Sequence, residues 1–251
     1  MLVALSPLVD TLLVIEGIYT GEEGDIPVYM AAASGDTMFV SSGRDVFPFY
    51  LVDGAVRPGT PWKSPVAFDD ILLWNGRLYA LCRGEERVYI FTLEGRPVDS
   101  VVVPWRYMEQ SLYLFAMSGG VYVELVGDSS YSITGAGAVP DPVPIGFASG
   151  KNRRLVVGYG AKRYPLPGDV VSASFIGQDG EGNLYLLLEK DSASAIWMGM
   201  GLLGPDGIRV EWLGKFSMEG YMPQVARVSP DGRLFLFIPA DSGLRVIVFR
   251  P

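Results

Sequence analysis

One short phrase recurs along the chain, and this repetition constrains the fold more than any other feature of the 251 residues. A Gly-containing turn pair is followed at once by a run of apolar and aromatic residues, in segments 75–79, 182–185 and 231–235. Pairs such as Asn-Gly and Asp-Gly supply the positive φ angles that tight hairpin turns require. Each phrase therefore predicts a hairpin that leads into an inner β-strand.

Weaker copies of the phrase extend this pattern over the whole chain. The strands that follow the phrase start near positions 38, 78, 112, 155, 184 and 234, a mean spacing of about 39 residues. A second strand pair follows several copies, joined by turns such as Asp53-Gly54 and Glu94-Gly95. A unit of four strands repeated about every 40 residues is typical of a propeller blade. The sequence predicts an all-β fold, a β-propeller of about six four-stranded blades.

The two ends of the chain indicate how such a ring closes. Residues 225–251 provide only about three strands, whereas the apolar run 12–15 has no partner strand nearby in the sequence. Pairing the two would hide edges that otherwise stay exposed. We therefore expect the N-terminal strand to close the last blade. No linker or shift in composition divides the chain, which predicts a single β-propeller domain over residues 1–251.

Two of the phrases carry a family resemblance. The segments DGEGNLY (179–185) and SPDGRL (229–234) resemble repeats of six-bladed β-propellers, most of all those of the NHL-repeat, TolB-like and gluconolactonase-like groups. This resemblance implies the fold, because its motifs are shared by propellers of unrelated function. Gluconolactonase-like enzymes hold a divalent metal near the propeller axis with Glu, Asn and Asp from different blades, and no full set of those residues is matched here.

Composition and charge exclude several partners and compartments. The net charge of −8 and a pI near 4.6 make the chain a polyanion that phosphate backbones repel, so we expect no general nucleic-acid binding. No apolar run reaches the length of a membrane span. The first residues lack the basic start of a signal peptide. The chain is expected in the cytoplasm as it stands, or outside the cell if a leader has been removed ahead of Met1.

The chain contains no histidine and a single cysteine, Cys82. This excludes Ser-His-Asp and Cys-His nucleophile systems, His-ligated metals and an intramolecular disulfide. Neither a phosphate-binding loop nor a Gly-x-Ser-x-Gly elbow is present. The usual routes to nucleophilic and acid-base catalysis are therefore missing.

The first candidate site consists of Asp179, Glu181 and Asn183. Oxygen ligands at alternate positions of a Gly-rich turn suit a hard cation such as Ca²⁺. An EF-hand would need a carboxylate at the twelfth loop position, where Lys190 stands. Asp, Gly and Asn are also the residues that a β-turn selects for backbone geometry, and we favour that interpretation. No cofactor is therefore expected, with Ca²⁺ as the alternative.

The second candidate site is a basic stretch in an otherwise acidic chain. It contains five cations within thirteen residues, with no acidic residue between Asp141 and Asp169: Lys151, Arg153, Arg154, Lys162 and Arg163. Such a cluster could bind an anionic ligand. The alternative is a solvated hairpin whose charges point outward.

These features favour a non-catalytic binding or scaffold propeller that engages a protein or a small ligand through loops at one face. Two alternatives stay open. One is a metal-dependent hydrolase or lactonase of gluconolactonase-like type, which rests on the family resemblance. The other is a structural subunit of a larger assembly.

Overall fold

The computed structural model describes residues 9–16, 18, 28–103, 113–117, 119–125, 129–135, 137–141, 145–149, 155–192, 195–204, 207–216, 222, 224–240 and 243–250. Apart from one 3₁₀ turn (Arg83–Glu85), all regular structure in these ranges is β-strand. The strands in chain order are β1 (Val9–Glu16), β2 (Met30–Ser34), β3 (Thr37–Ser42), β4 (Asp45–Val52), β5 (Ala55–Pro58), β6 (Trp62–Lys63), β7 (Asp70–Trp74), β8 (Arg77–Cys82), β9 (Arg87–Phe91), β10 (Pro97–Val102), β11 (Tyr113–Met117), β12 (Gly120–Leu125), β13 (Ser129–Thr134), β14 (Gly137–Pro140), β15 (Ile145–Ser149), β16 (Leu155–Tyr159), β17 (Lys162–Pro165), β18 (Val170–Gln178), β19 (Leu184–Ser192), β20 (Ala195–Gly204), β21 (Gly207–Phe216), β22 (Ala226–Val228), β23 (Leu234–Ala240) and β24 (Gly243–Phe249). No helix in the described ranges has the length and apolar character needed to cross a membrane.

The strands form six antiparallel sheets that follow one another along the chain as the blades of a propeller. Blade 1 contains β2–β6, blade 2 β7–β10, blade 3 β11–β14, blade 4 β15–β17, blade 5 β18–β21, and blade 6 β22–β24 with β1. The chain thus adopts a six-bladed β-propeller fold, as the repeated phrase predicts.

Ring closure also follows the prediction. Strand β1 pairs antiparallel with β24, with Leu13 opposite Val246 and Ile15 opposite Leu244. The N-terminal strand is therefore the outermost strand of blade 6, whose three other strands come from the end of the chain. The side chains of Leu13 and Ile15 are buried, whereas Val14 between them is 59% exposed. This alternation is typical of a strand with one buried face.

Continuous apolar runs form the middle of the blades because a blade is covered on both faces by its neighbours. In β23, the six residues 234–239 are all buried. A strand that is buried on both faces reads as an unbroken apolar run, without alternation with polar residues. This explains why the repeated phrase ends in runs such as LFLFI.

The structure makes one detail of the sequence interpretation more precise and shows another to be wrong. The phrase leads into the second strand of a blade. Leu78, Leu184 and Leu234 lie on β8, β19 and β23, and each of these strands is next to the innermost strand of its blade. In blade 3, moreover, the segment after position 112 is β11, the innermost strand. The true counterpart of the phrase in that blade is Gly119-Gly120, which leads into β12. In β11, Phe115 follows Leu114 as an aromatic residue follows Leu in the phrase, whereas Tyr122 of β12 follows Val121, so the letters alone favour the wrong strand.

Blade 4 departs from the four-stranded pattern, with three strands in the described ranges. Around the axis, β11 of blade 3 lies directly against β18 of blade 5. Phe115 and Phe175 make an edge-to-face ring contact at 5.1 Å. Gly177 has a φ of +146°, and a Cβ atom there would lie 3.3 Å from the Ala116 carbonyl oxygen and 2.7 Å from Val228 Cγ1. The small residue lets the inner strands of blades 3, 5 and 6 converge.

Candidate functional site

A cleft of about 720 Å³ opens on the face of the ring that carries the turns between the first and second strands of the blades. Its walls come from blades 5 and 6, with one side chain from blade 1, and the lining residues are Asp36, Asp179, Glu181, Asn183, Tyr185, Leu202, Arg209, Pro230, Asp231, Gly232, Arg233 and Arg250. The volume lies within the usual range for small-molecule sites. The two phrases that carry the family resemblance thus supply most of the lining.

The two turns at the inner end of the cleft have the same backbone geometry. In blade 5, the Asp179 N–H donates to the Asn183 carbonyl and the Gly182 N–H donates to the Asp179 carbonyl, at 3.1 and 3.2 Å. In blade 6, Ser229, Gly232 and Arg233 repeat both bonds at 2.9 Å. Gly182 and Gly232 have φ of +89° and +80°, which favours glycine. The phrase is repeated because this turn needs a glycine at that position.

The turns are also bonded to each other across the boundary between the blades. The Gly180 N–H donates to the Pro230 carbonyl at 2.8 Å. The buried Tyr185 hydroxyl donates to Asp179 Oδ2 at 2.9 Å and lies 3.3 Å from the Gly232 carbonyl oxygen. Burial and the neighbouring Asp179 carboxylate raise the pKa of Tyr185, so its hydroxyl keeps the proton that it donates. The inner end of the cleft is therefore a hydrogen-bonded unit.

The candidate cation site lies in the cleft, because all three of its residues line it: Asp179, Glu181 and Asn183. The Asp179 carboxylate accepts four hydrogen bonds at 2.9–3.0 Å from the Glu181 and Asn183 backbone N–H groups, the Asn183 amide and the Tyr185 hydroxyl. These bonds hold the turn in the way expected of an Asp that caps its own loop. A cation at Asp179 would have to compete with them. The Glu181 side chain, in contrast, is exposed.

Arg233 forms the boundary of the cleft towards blade 1. Its Nη1 donates to Asp36 Oδ1 and its Nε donates to Asp231 Oδ2, both at 2.7 Å. The Arg233 side chain is only 12% exposed. Burial raises the pKa of Asp231, but a hydrogen bond from Ser229 together with the charge and hydrogen bonds of Arg233 outweighs it and holds that pKa below its ordinary value. The guanidinium is thus paired on two sides.

The outer part of the blade 5 wall is a row of side chains on three neighbouring strands. Tyr185 on β19 lies opposite Leu202 on β20, and Leu202 lies opposite Arg209 on β21. Residues directly opposite one another in a sheet point to the same face. The Arg209 side chain is 54% exposed, and its Nε lies 3.7 Å from Glu211 Oε1. The row therefore runs from a buried hydroxyl, over an apolar residue, to an exposed cation.

The ring axis is occupied by a buried ion pair that sequence reasoning missed. Arg227 of blade 6 bonds to Asp70 of blade 2 and also donates to the carbonyls of Ala31, Ile71 and Leu114, in blades 1, 2 and 3, at 2.8–3.0 Å. The other Asp70 oxygen accepts the Leu114 N–H at 2.7 Å. Both side chains are 1% exposed. Because these partners lie on the innermost strands, Arg227 lies across the axis.

The basic stretch is described only in part. Lys151, Arg153 and Arg154 lie outside the described residues. Lys162 and Arg163 are exposed on β17, at one edge of the three-stranded sheet of blade 4. The Arg163 guanidinium lies over Gly158, its partner on β16, which has no side chain to obstruct it. Neither residue lines the cleft.

Other reactive groups in the described ranges are inert or dispersed. Burial, with the nearby Asp69 and Glu85 carboxylates, raises the pKa of Cys82 to about 12. A thiol with so high a pKa stays protonated at neutral pH. Within these ranges no group of three Asp, Glu or Cys side chains is placed to hold a metal ion.

Four residues of the cleft and the ring axis belong to no recognisable sequence motif: Leu202, Arg209, Arg227 and Asp70. Arg227 occurs in the strand VARV, where alternation does not distinguish an axial position from an exposed one. Their positions follow only from strand register and from which blades meet.

No protein-family model and no curated protein sequence matches this chain. Among solved structures it is similar to a streptogramin B lyase, at 12% sequence identity and a TM-score of 0.50, over 96% of this chain and 99% of that one. It is also similar to the hydrazine synthase of Kuenenia stuttgartiensis, at 12% identity and a TM-score of 0.50, over 87% of this chain and 79% of that one. At this identity the likeness is one of fold, and the fold that these proteins share with the chain is the β-propeller.

Proposed function

We propose that this propeller is a binding module that holds a small polar ligand in the cleft between blades 5 and 6. The observation that carries the proposal is the cleft itself, whose inner end is organised by hydrogen bonds between the two turns. A site that is ordered before its ligand arrives loses little conformational entropy on binding. Arg227 and Asp70 are buried at the axis, whereas the cleft is open to a ligand.

The proposed mode of binding is polar recognition on a rigid wall. Asp179 and Arg233 are engaged within the turns, where they set the shape of the site. Glu181 and Arg209 are exposed at its surface and are available to a ligand. A few placed polar groups around an apolar contact such as Leu202 are typical of small-molecule sites.

A lyase and a synthase occur among the proteins with this fold, so fold alone does not decide between binding and catalysis. Binding is favoured because general acid-base or nucleophilic catalysis needs an activated group. In the cleft, the Tyr185 hydroxyl has a raised pKa and the Asp179 carboxylate is held by four hydrogen bonds. The Tyr185 hydroxyl is therefore not activated for proton transfer at neutral pH, and the Asp179 carboxylate is engaged in the hydrogen bonds of its turn.

A screen of small polar compounds by ¹H–¹⁵N NMR tests the proposal. We expect a subset to shift the backbone amides of Gly180, Gly182 and Gly232, the glycines of the two turns. Glu181→Trp should abolish these shifts, because it places a large ring in the cleft and keeps the backbone bonds of the turn. Glu94→Trp, at an exposed turn of blade 2, is the matched control and should bind as the wild type does.

Two outcomes would contradict the proposal. One is a screen in which no compound shifts these amides. The other is chelator-sensitive turnover on a panel of lactones and esters that Glu181→Trp abolishes. That result would favour the metal-dependent hydrolase instead.

A further inference from the structure

The charges that line the cleft divide into engaged and available ones, and Arg250, which follows β24, is among the engaged ones. Arg233 is paired with Asp36 and Asp231, and the Asp179 carboxylate accepts the bonds of its own turn. The Glu181 carboxylate is exposed, and the hydrogen bond of that residue to Asp179 uses only its backbone. Arg209 is more than half exposed, and its contact with Glu211 at 3.7 Å is longer than a hydrogen bond. One anion and one cation are thus available on the blade 5 wall.

These two charges lie at opposite ends of that wall. Glu181 is in the turn that leads into β19, and Arg209 is on β21, the outermost strand of the blade. Two interstrand spacings separate β19 from β21, which is roughly 10 Å. Leu202 on β20 lies between them, in register with Tyr185 and Arg209. Charge therefore changes sign along the wall across an apolar centre.

The Tyr185 hydroxyl, between the two charges, is affected by both. The Glu181 carboxylate contributes to the raised pKa of Tyr185, after burial and Asp179, and the Arg209 guanidinium opposes it. Both groups are therefore close enough to act electrostatically on one point in the cleft.

We propose that the cleft binds a zwitterion whose ammonium group pairs with Glu181, whose carboxylate pairs with Arg209, and whose apolar spacer lies on Leu202. The inference rests on the proposed function and names the chemical class of the ligand. An ω-amino acid or a short peptide with free termini has this chemistry. Arg recognises carboxylates through paired N–H donors, and a separation of opposite charges adds selection by length.

The test uses 6-aminohexanoate, with hexylamine, hexanoate and glycine as comparison compounds. The first has both charges and a spacer, the next two each lack one charge, and glycine lacks the spacer. By NMR titration of the full chain, 6-aminohexanoate should bind at least about tenfold more tightly than any of the three. Its affinity should fall as salt concentration rises, because both contacts are exposed ion pairs.

Two variants test which residue binds each end of the ligand. Arg209→Gln should weaken 6-aminohexanoate about tenfold and leave hexylamine unchanged. Glu181→Gln should weaken 6-aminohexanoate to a similar degree and leave hexanoate unchanged. Arg57→Gln, an exposed arginine on the outer strand β5 of blade 1, is the control and should change neither.

The inference is overturned if 6-aminohexanoate binds no better than its single-charge counterparts, or if both variants bind it as the wild type does. This outcome differs from failure of the proposed function. If other polar compounds still shift the amides of Gly180, Gly182 and Gly232, the cleft remains a binding site and only the ligand class is wrong.

Discussion

Arg227 is fully buried, although arginine is among the residues least often found in protein interiors. Its burial is possible because the Asp70 carboxylate and three backbone carbonyls satisfy the guanidinium. The intact pair can contribute little net stability. Removal of one partner is nevertheless strongly destabilising, because it leaves the other charge buried without a counter-ion. In this fold the pair connects blade 6 to blades 1, 2 and 3.

Arg227→Met should lower the free energy of unfolding by about 3–5 kcal/mol, because it leaves the Asp70 carboxylate buried without its counter-ion. The double variant Arg227→Met/Asp70→Leu should be more stable than the single variant. Urea denaturation measures both, and Arg57→Met at an exposed site serves as control, with an expected change of at most about 0.5 kcal/mol. A single variant as stable as the control would show that the axial pair does not hold the blades.

Among the elements, the turns are the most predictable from sequence, and the strand number of blade 4 and the packing between blades are the least. The Asp-Gly and Gly-Asn phrases identify turns because positive φ requires particular residues locally. The three strands of blade 4 and the contact between β11 and β18 leave no such mark, because they depend on how distant segments meet. For the same reason the sequence places Asp179, Glu181 and Asn183 in one turn but does not pair that turn with Pro230.

The blade 6 turn also has a measurable electrostatic signature. The pKa of Asp231 is lowered, since a hydrogen bond from Ser229 and the charge of Arg233 outweigh the effect of burial. The folded state therefore gains stability from this carboxylate above its ordinary pKa of 3.8, and loses it as pH falls through the lower folded value.

Carboxyl-detected NMR should place the titration of Asp231 below 3.8 in the wild type. In Arg233→Gln the pKa should rise, because burial then acts with less opposition. Arg57→Gln, far from this turn, should leave the titration unchanged. A wild-type value at or above 3.8 would contradict the described bonding of the turn.

For the molecule as a whole, the decisive contact is the one that joins the two ends of the chain. The sequence predicted it correctly, because an apolar run without a local partner and an incomplete last unit can satisfy each other. The axial ion pair could not be predicted in this way, since nothing in the segment VARV distinguishes Arg227 from an exposed strand arginine.

Two neighbouring residues of β1 test ring closure. Leu13→Ala should lower the free energy of unfolding by about 2–5 kcal/mol, because Leu13 is buried in the core that blade 6 forms with its neighbours. Val14→Ala, one residue later on the exposed face, should change it by at most about 0.5 kcal/mol. Thermal denaturation of both variants measures the difference. Equal effects would mean that β1 does not pack as described.

Closure by β1 also has a consequence for biosynthesis. Ile15 and its partner Leu244 are 229 residues apart, so β1 leaves the ribosome long before β24 exists. At ordinary translation speeds of about 5–20 residues per second, β1 waits roughly 10 to 50 s for the strand with which it pairs. During this interval the apolar residues of β1 have no partner strand and are exposed to contact with other nascent chains. The last blade is thus the first to be started and the last to be finished, which makes its assembly sensitive to translation rate and to chaperones.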